Sequence, residues 1–213
     1  MNSNEELVEY LVGRGILKDV NIIRAMSQID RKDFVGEGNL DRAYIDNALP
    51  IKFSQTISQP STVAFMLEEL GPEEGQKILD VGSGSGWTTA ILAKIIGEKG
   101  KVIACEIIPQ IKKLGEENVD KYHFKNVKFY EADASIGLKK EAPFDRILCS
   151  AAASEMPERL KSQLNLGGRL VIPVGGINGQ SIMVVEKVGE KTYKQKKYPG
   201  FVFVELRGKY KEG

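Results

Sequence analysis

Apolar residues recur with two different periods along this chain, and the change of period divides it. Leu7, Val8, Leu11 and Val12 follow helical spacing, as do Val20, Ile23 and Met26 after a break at Gly13 and Gly15. From Arg31 to Ser54 the pattern is irregular (RKDFVGEGNLDRAYIDNALPIKFS) with turn residues scattered through it, which predicts a long loop lying over the rest. Loops of that length commonly carry function. The stretch TISQPSTVAFMLEEL then shows helix-start signals: Pro60 suits a first turn, and Val63, Met66, Leu67 and Leu70 form an i, i+3, i+4, i+7 stripe.

After Gly71 and Gly75 short apolar runs alternate with helical stretches: KILDV, TTAILAKIIG, KVIACEI, PQIKKLGEENVDKY, NVKFYEA. This is a β-α-β-α-β series. It continues with FDRILCSAAA as a fourth strand, PERLKSQL as a helix and GRLVIPVG as a fifth strand. The runs QSIMVVEKV and GFVFVEL have no helical pattern between them and are expected to pair antiparallel at the sheet edge. The fold class is therefore α/β: a doubly wound, Rossmann-like sheet with an N-terminal helical extension and antiparallel C-terminal edge strands. One domain is expected over residues 1–213, with an extension at 1–56, a catalytic core at 57–185 and a β tail at 186–213.

A chain of 213 residues with 42% in the hydrophobic set can bury one substantial core. Thirty basic against 29 acidic residues leave a formal charge of +1, which argues against a surface built to neutralise a nucleic-acid backbone. His123 is the single histidine, so a multi-histidine metal site cannot be built and a Ser-His-Asp triad would have to use that residue. No metal is expected. Cys105 and Cys149 stand in apolar runs with no C-x-x-C pair, as buried thiols of a reducing compartment do. The start MNSNEELVEY lacks the basic and apolar regions of a secretory signal, and no window reaches the roughly 18 to 20 apolar residues of a membrane span. A cytoplasmic protein with no membrane association and no obligate protein partner is expected.

Candidate chemistry begins where KILDV runs into Asp80-Val81-Gly82-Ser83-Gly84-Ser85-Gly86-Trp87 and a helix follows. A dinucleotide fingerprint, G-x-G-x-x-G, would need glycine at position 87, where Trp87 stands. The pattern present, acidic-x-G-x-G-x-G, is typical of S-adenosylmethionine (SAM) methyltransferases. SAM carries an ammonium and a sulfonium, so the Asp80 carboxylate suits it where it would repel a phosphate. Gly82, Ser83 and Gly84 are thus candidate cofactor contacts; a tight turn alone is the other reading. Glu106 ends the strand VIACE, where a carboxylate can accept from both ribose hydroxyls, or instead pair with a lysine. Asp133 in EADAS, with Ala134 beside it, would face the adenine, or instead serve as an N-cap or turn residue.

The chain also resembles the protein-L-isoaspartate O-methyltransferase family over nearly its whole length. The resemblance rests on RKDFV (31–35), AYIDNALPI (43–51), QTISQPS (55–61), DVGSGSGW (80–87), APFDRI (142–147) and LKSQLNLGGRLVIPVG (160–175). TISQP is the specific part, since the glycine loop is widely shared. The resemblance implies SAM as cofactor, methyl transfer to the free α-carboxylate of isoaspartyl residues in damaged proteins and peptides, and Ser58 as the active-site hydroxyl. It places Thr56 and Ile57 in the same cofactor-facing loop, and Val204 and Leu206, with Ser58, in the substrate pocket. The residues alone give Ser58 an N-cap role. The family commonly has glycine where Ser54 stands and proline where Glu205 stands. Such an α-carboxylate, with a reference pKa of about 3.3 to 3.7, is ionised at neutral pH, so no general base is required.

A SAM-dependent enzyme acting on RNA or on a small molecule is the competing reading. From Lys187 to Gly213 there are eight Lys/Arg and three Asp/Glu, with Tyr193, Tyr198 and Tyr210 interleaved. A solvated, lysine-guarded hairpin edge explains the same residues. Enzymes that methylate base amino groups resemble one another in a proline-proline-aromatic motif where this chain has Ser150-Ala151-Ala152-Ala153, and Cys149 reads as buried. An inactive SAM- or peptide-binding module is the third class, against which Asp80, Glu106 and Ser58 together weigh.

Overall fold

The computed structural model describes residues 1–176 and 179–209. Two N-terminal helices, α1 (Asn4–Gly13) and α2 (Val20–Gln28), start on the side-chain caps of Ser3 and Asp19. The segment read as loop carries two 3-10 turns, Arg31–Phe34 and Glu37–Arg42, and then a two-stranded ribbon of β1 (Leu49–Pro50) with β2 (Thr56–Ile57). Pro60 opens α3 (Pro60–Leu70), which ends on Gly71 in the left-handed conformation.

The α/β series follows as β3 (Lys77–Val81), α4 (Trp87–Ile96), β4 (Lys101–Glu106), α5 (Pro109–Asp120), β5 (Val127–Glu131), β6 (Phe144–Cys149), α6 (Glu158–Ser162) and β7 (Leu164–Gly176). Two further strands, β8 (Gly179–Lys187) and β9 (Tyr193–Phe201), complete a seven-stranded sheet of order β5-β4-β3-β6-β7-β8-β9. Strands β5 to β7 in that order are parallel; β8 and β9 add antiparallel. The chain winds outward from β3 through β4 to β5, then returns to β6 on the other side of β3. The loops after β3 and β6 therefore diverge, and a crevice opens at the carboxyl ends of the two strands.

Period-two alternation sends side chains to two cores. Ile78, Val102, Leu148, Val171 and Ile182 pack with Leu11, Met26, Leu67, Ile91 and Val119 of α1 to α5. Leu79, Ile103, Ile147, Leu170 and Val185 pack with Ala134, Leu160 and Leu206 on the opposite face. Both cysteines are buried and free.

The last strand differs from the expected GFVFVEL. Pairing with β8 uses Tyr193–Phe201, a polar run whose Tyr198 and Phe201 rings lie 5.0 and 5.5 Å from Phe65 of α3. Aromatic anchors on one face outweigh the lysines, which project into water from the sheet edge. Beyond Phe201 the Gln180 side chain captures both the N–H and the C=O of Phe203, and the chain leaves the sheet, with Val202 92% exposed. Tyr210 lies outside the described residues.

Close packing of the glycine loop, which a dinucleotide loop would place at position 87, falls at Gly86 and Gly115 in this chain. A Cβ on Gly86 would lie 2.6 Å from the Gly115 carbonyl oxygen, and a Cβ on Gly115 would lie 2.6 Å from that of Gly84. The loop thus seats against α5 at a glycine inside a helix. Alanine at a helix interior normally gains about 1 kcal/mol over glycine. Gly115→Ala should instead lose about 1 to 3 kcal/mol in a denaturant melt, because the backbone of the loop cannot yield as a side-chain end can.

Candidate functional site

A cleft of about 830 Å³ occupies the crevice at the carboxyl ends of β3, β4 and β6. Six separate stretches line it, together with Val63 of α3: Gln55–Ser58, the glycine loop with the start of α4, Cys105–Ile108, Ala132 with Ala134–Ser135, Ser150–Ala151, and Val204–Arg207. Of the expected site residues, Thr56, Ile57, Ser58, Gly82, Ser83, Gly84, Glu106, Ala134, Val204 and Leu206 all face this one cleft. Asp80 and Asp133 do not line it.

In the glycine loop Gly82, Gly84 and Gly86 have φ of 72°, 55° and 88°, values that a side chain would strain. Asp80 lies beneath the loop, fully buried; its Oδ2 accepts hydrogen bonds from Thr89 Oγ1 at 2.6 Å and Thr88 Oγ1 at 3.2 Å. Among the described residues its Oδ1 has no partner, nor do the buried Ser83 Oγ and Trp87 Nε1 nearby. Burial pushes the Asp80 carboxyl up to about 6 against the pull of both threonine hydroxyls, with Glu106 adding to the rise.

Glu106 accepts from the N–H groups of Ile107 at 2.9 Å, Ile108 at 3.1 Å and Gly84 at 3.2 Å, so its carboxylate is aimed by backbone at the end of β4. No lysine pairs with it among the described residues, which removes the ion-pair alternative. Asp133 behaves as the turn residue that the sequence also allowed. Its Oδ1 accepts from Ser135 N–H at 3.0 Å, capping the 3-10 turn Ala134–Ile136, while Oδ2 accepts from Lys209 N–H at 2.8 Å. Ala134 and Ser135 line the cleft in its stead.

Ser58 is not the N-cap of α3. That position is Gln59, with no side-chain cap bond, and the Asp46 carboxylate instead accepts from Ser61 N–H at 2.8 Å and Gln59 Nε2 at 3.3 Å. The Ser58 hydroxyl makes no hydrogen bond among the described residues, and its carbonyl accepts from Arg31 Nη2 at 3.2 Å. Arg31 is completely buried; it also donates to the carbonyls of Ala43 at 2.5 Å, Ile45 at 3.4 Å and Asn47 at 3.0 Å, and its guanidinium lies 5.4 Å from the Trp87 ring centre. Burial lowers its pKa to about 10, with the Asp46 charge opposing. Ser54, at the family's glycine position, has φ 56°, and Phe53 before it has φ 58°. That left-handed backbone explains why glycine suits the place.

The tail crosses the far wall of the cleft as an extended strap. Ala152 N–H donates to Val204 O and Leu206 N–H donates to Ala152 O, both at 2.8 Å. Neither bond uses the N–H of Glu205, so glutamate in place of proline leaves the strap in register.

Residues 2–211 match the sequence family described as protein-L-isoaspartate(D-aspartate) O-methyltransferase. The chain belongs to that family. It is similar to the protein-L-isoaspartate O-methyltransferases of Methanopyrus kandleri (40% identity, 97% of this chain and 92% of the relative) and Staphylothermus marinus (38%, 98% and 96%). A Plasmodium falciparum chain assigned to protein-L-isoaspartate O-methyltransferase, solved with S-adenosyl-L-homocysteine, superposes with a TM-score of 0.87 at 28% identity, covering 97% of this chain and 99% of that one. The family's TISQP and glycine-loop motifs thus meet across one cleft in this protein.

Arg31 and Asp46 were not singled out from the sequence. Their partners lie 12 to 27 and 13 to 15 residues away, so no local spacing reports them; Arg31 stands in the charged run Asp30-Arg31-Lys32-Asp33, which reads as a solvated turn. Arg207, which lines the cleft, was also missed, since its place depends on the strap.

The Asp80 carboxyl titrates higher in the folded chain than in the unfolded one. Its proton therefore stabilises the fold at low pH, fully below about pH 4, and that contribution is lost as pH rises through about 6. Between pH 4 and 6 wild-type stability should fall relative to Asp80→Asn by on the order of 2 to 3 kcal/mol, read from denaturant midpoints. Parallel profiles would assign Asp80 an ordinary carboxyl.

Proposed function

We propose that this protein transfers the methyl group of SAM to the free α-carboxylate of L-isoaspartyl residues in damaged proteins and peptides, as a repair methyltransferase. The observation that carries the reading is Ser58: an unpartnered hydroxyl in the TISQP loop that opens on the same cleft as the glycine loop and Glu106. The cofactor assignment is supported by two buried polar atoms of cleft-lining residues that have no partner among the described residues, Ser83 Oγ and Trp87 Nε1. Such atoms are costly when buried alone, and a ligand carrying its own donors and acceptors satisfies them.

When bound, SAM supplies a methyl group already activated by its sulfonium. Glu106, held still by backbone N–H groups, would accept from the ribose hydroxyls, and Ala134 and Ser135 would border the adenine. Asp80 sets a negative charge beneath the loop, and Thr56 and Ile57 close the cleft beside it. Ser58 offers a neutral O–H to the substrate carboxylate, orienting it without the strong pairing that would blunt its nucleophilicity. Val204 and Leu206 present the opposite wall to the peptide. Positioning of this kind is the main contribution a protein can make to an in-line transfer.

The extension and tail belong to one catalytic domain in this reading, because both contribute to the cleft. The cytoplasm is the compartment it favours, supported by two buried free thiols; no helix among the described residues is long and apolar enough to cross a membrane. The lysines of β9 guard a sheet edge and do not border the cleft, which supports peptide over nucleic acid as substrate.

With labelled SAM, a short isoaspartyl peptide should be methylated efficiently and its aspartyl counterpart at least about a hundredfold less, since a displacement of roughly 1 Å costs that much. Equal rates would overturn the substrate assignment. Ser58→Ala should lower transfer more than about tenfold with little change in melting, as befits a hydroxyl with no partner among the described residues. Glu106→Ala should weaken cofactor binding by about 1.5 to 3 kcal/mol, roughly 10- to 150-fold by calorimetry, with a smaller loss of stability from the freed N–H groups.

A further inference from the structure

We propose that Arg31 is a positioning residue for methyl transfer, holding Ser58 in register with the glycine loop. The inference rests on the reading of Ser58 given above and concerns a residue that touches neither ligand. Its side chain joins three pieces of the molecule that have no common secondary structure. Nη2 holds the Ser58 carbonyl at 3.2 Å and the Asn47 carbonyl at 3.0 Å; Nη1 holds Ala43 and Ile45; the guanidinium face rests on Trp87, the first residue after the three glycines.

Fixing the Ser58 carbonyl fixes the peptide plane after it, and so the direction in which its hydroxyl leaves the chain. The second hold on the loop comes from Asp46, whose carboxylate takes Ser61 N–H and the Gln59 amide. Asp46 lies in the segment that Arg31 itself gathers, between the bonded carbonyls of Ile45 and Asn47. Both side-chain restraints on the TISQP loop therefore run through one guanidinium, beside the backbone pairing of β1 with β2.

A space-filling role does not explain the arrangement. Apolar residues fill such a site without the cost of desolvating a charge, and buried ion networks are often replaceable by them. Arg31 is retained fully buried with its Nε unpartnered, and its hydrogen bonds end on carbonyls of irregular backbone. Only a planar fork spans four carbonyls at once; an ammonium is a point donor.

The test is a double-mutant cycle on the full chain, with Arg31→Lys, Ser58→Ala and their combination. Rates on an isoaspartyl peptide, SAM affinity by calorimetry and denaturant melts are read on each. Arg31→Lys should lower kcat/KM at least tenfold per folded molecule while cofactor Kd stays within about threefold, since no cofactor-facing bond is removed. Adding Ser58→Ala to it should then cost less than threefold, because the hydroxyl is already misplaced. If Arg31→Lys does not melt cooperatively, Arg31→Gln, which keeps a planar donor head without the charge, replaces it in the cycle. Independent, multiplying losses, or wild-type turnover in the Arg31 variant, would make Arg31 a structural residue only. An unchanged rate in Ser58→Ala alone would instead overturn the reading of Ser58, and this inference with it.

Discussion

A guanidinium taken out of water must find acceptors or forfeit several kcal/mol, and Arg31 finds them only if residues 43–47 and Ser58 gather around it. That requirement sets the upper half of the cleft. Once the segment 43–47 is drawn in, Asp46 can meet the start of α3, and the short β1–β2 ribbon brings Thr56 and Ile57 to the rim. The Trp87 ring gives the guanidinium its floor, which fixes the height of this upper layer above the glycine loop. Removing the charge would release several loops together.

The lower half obeys a steric rule. Glycines at 86 and 115 let the loop and α5 approach to distances at which any Cβ would collide, and Glu106 secures the same junction by accepting from Gly84 N–H. The loop is therefore rigid where its backbone lines the cleft. Its remaining discomfort is electrostatic: a buried aspartate with one unpartnered oxygen, beside an unpartnered serine hydroxyl and indole N–H. The serine and the tryptophan line the cleft, where a ligand can satisfy them.

The parallel core was legible in advance because its central strands β3, β4 and β6 are mostly apolar runs bounded by glycine or polar turns, buried on both faces. Local pattern and final environment agree there. The tail was legible in composition and wrong in register. GFVFVEL has the hydrophobicity of a strand, yet the strand is the lysine-rich run before it. Edge pairing asks only for one anchored face, and Tyr198 and Phe201 supply it, whereas Val204 and Leu206 lie at the cleft. In the same way Asp133 could be named as a polar residue of the right loop, but not which group it would serve.

By itself, then, the sequence determined the α/β winding, the glycine loop, the carboxylate at the end of β4 and the TISQP segment, because each is encoded in contiguous residues whose spacing carries its own geometry. Tertiary structure decided whatever depends on partners distant along the chain: Arg31 collecting carbonyls from residues 43 to 58, Asp46 replacing Ser58 as the cap of α3, Gly115 receiving the glycine loop, and the strap that brings Val204 and Leu206 onto the far wall. A hydrogen bond or a close contact between remote segments leaves no period in the sequence; it exists only after burial has brought the two together.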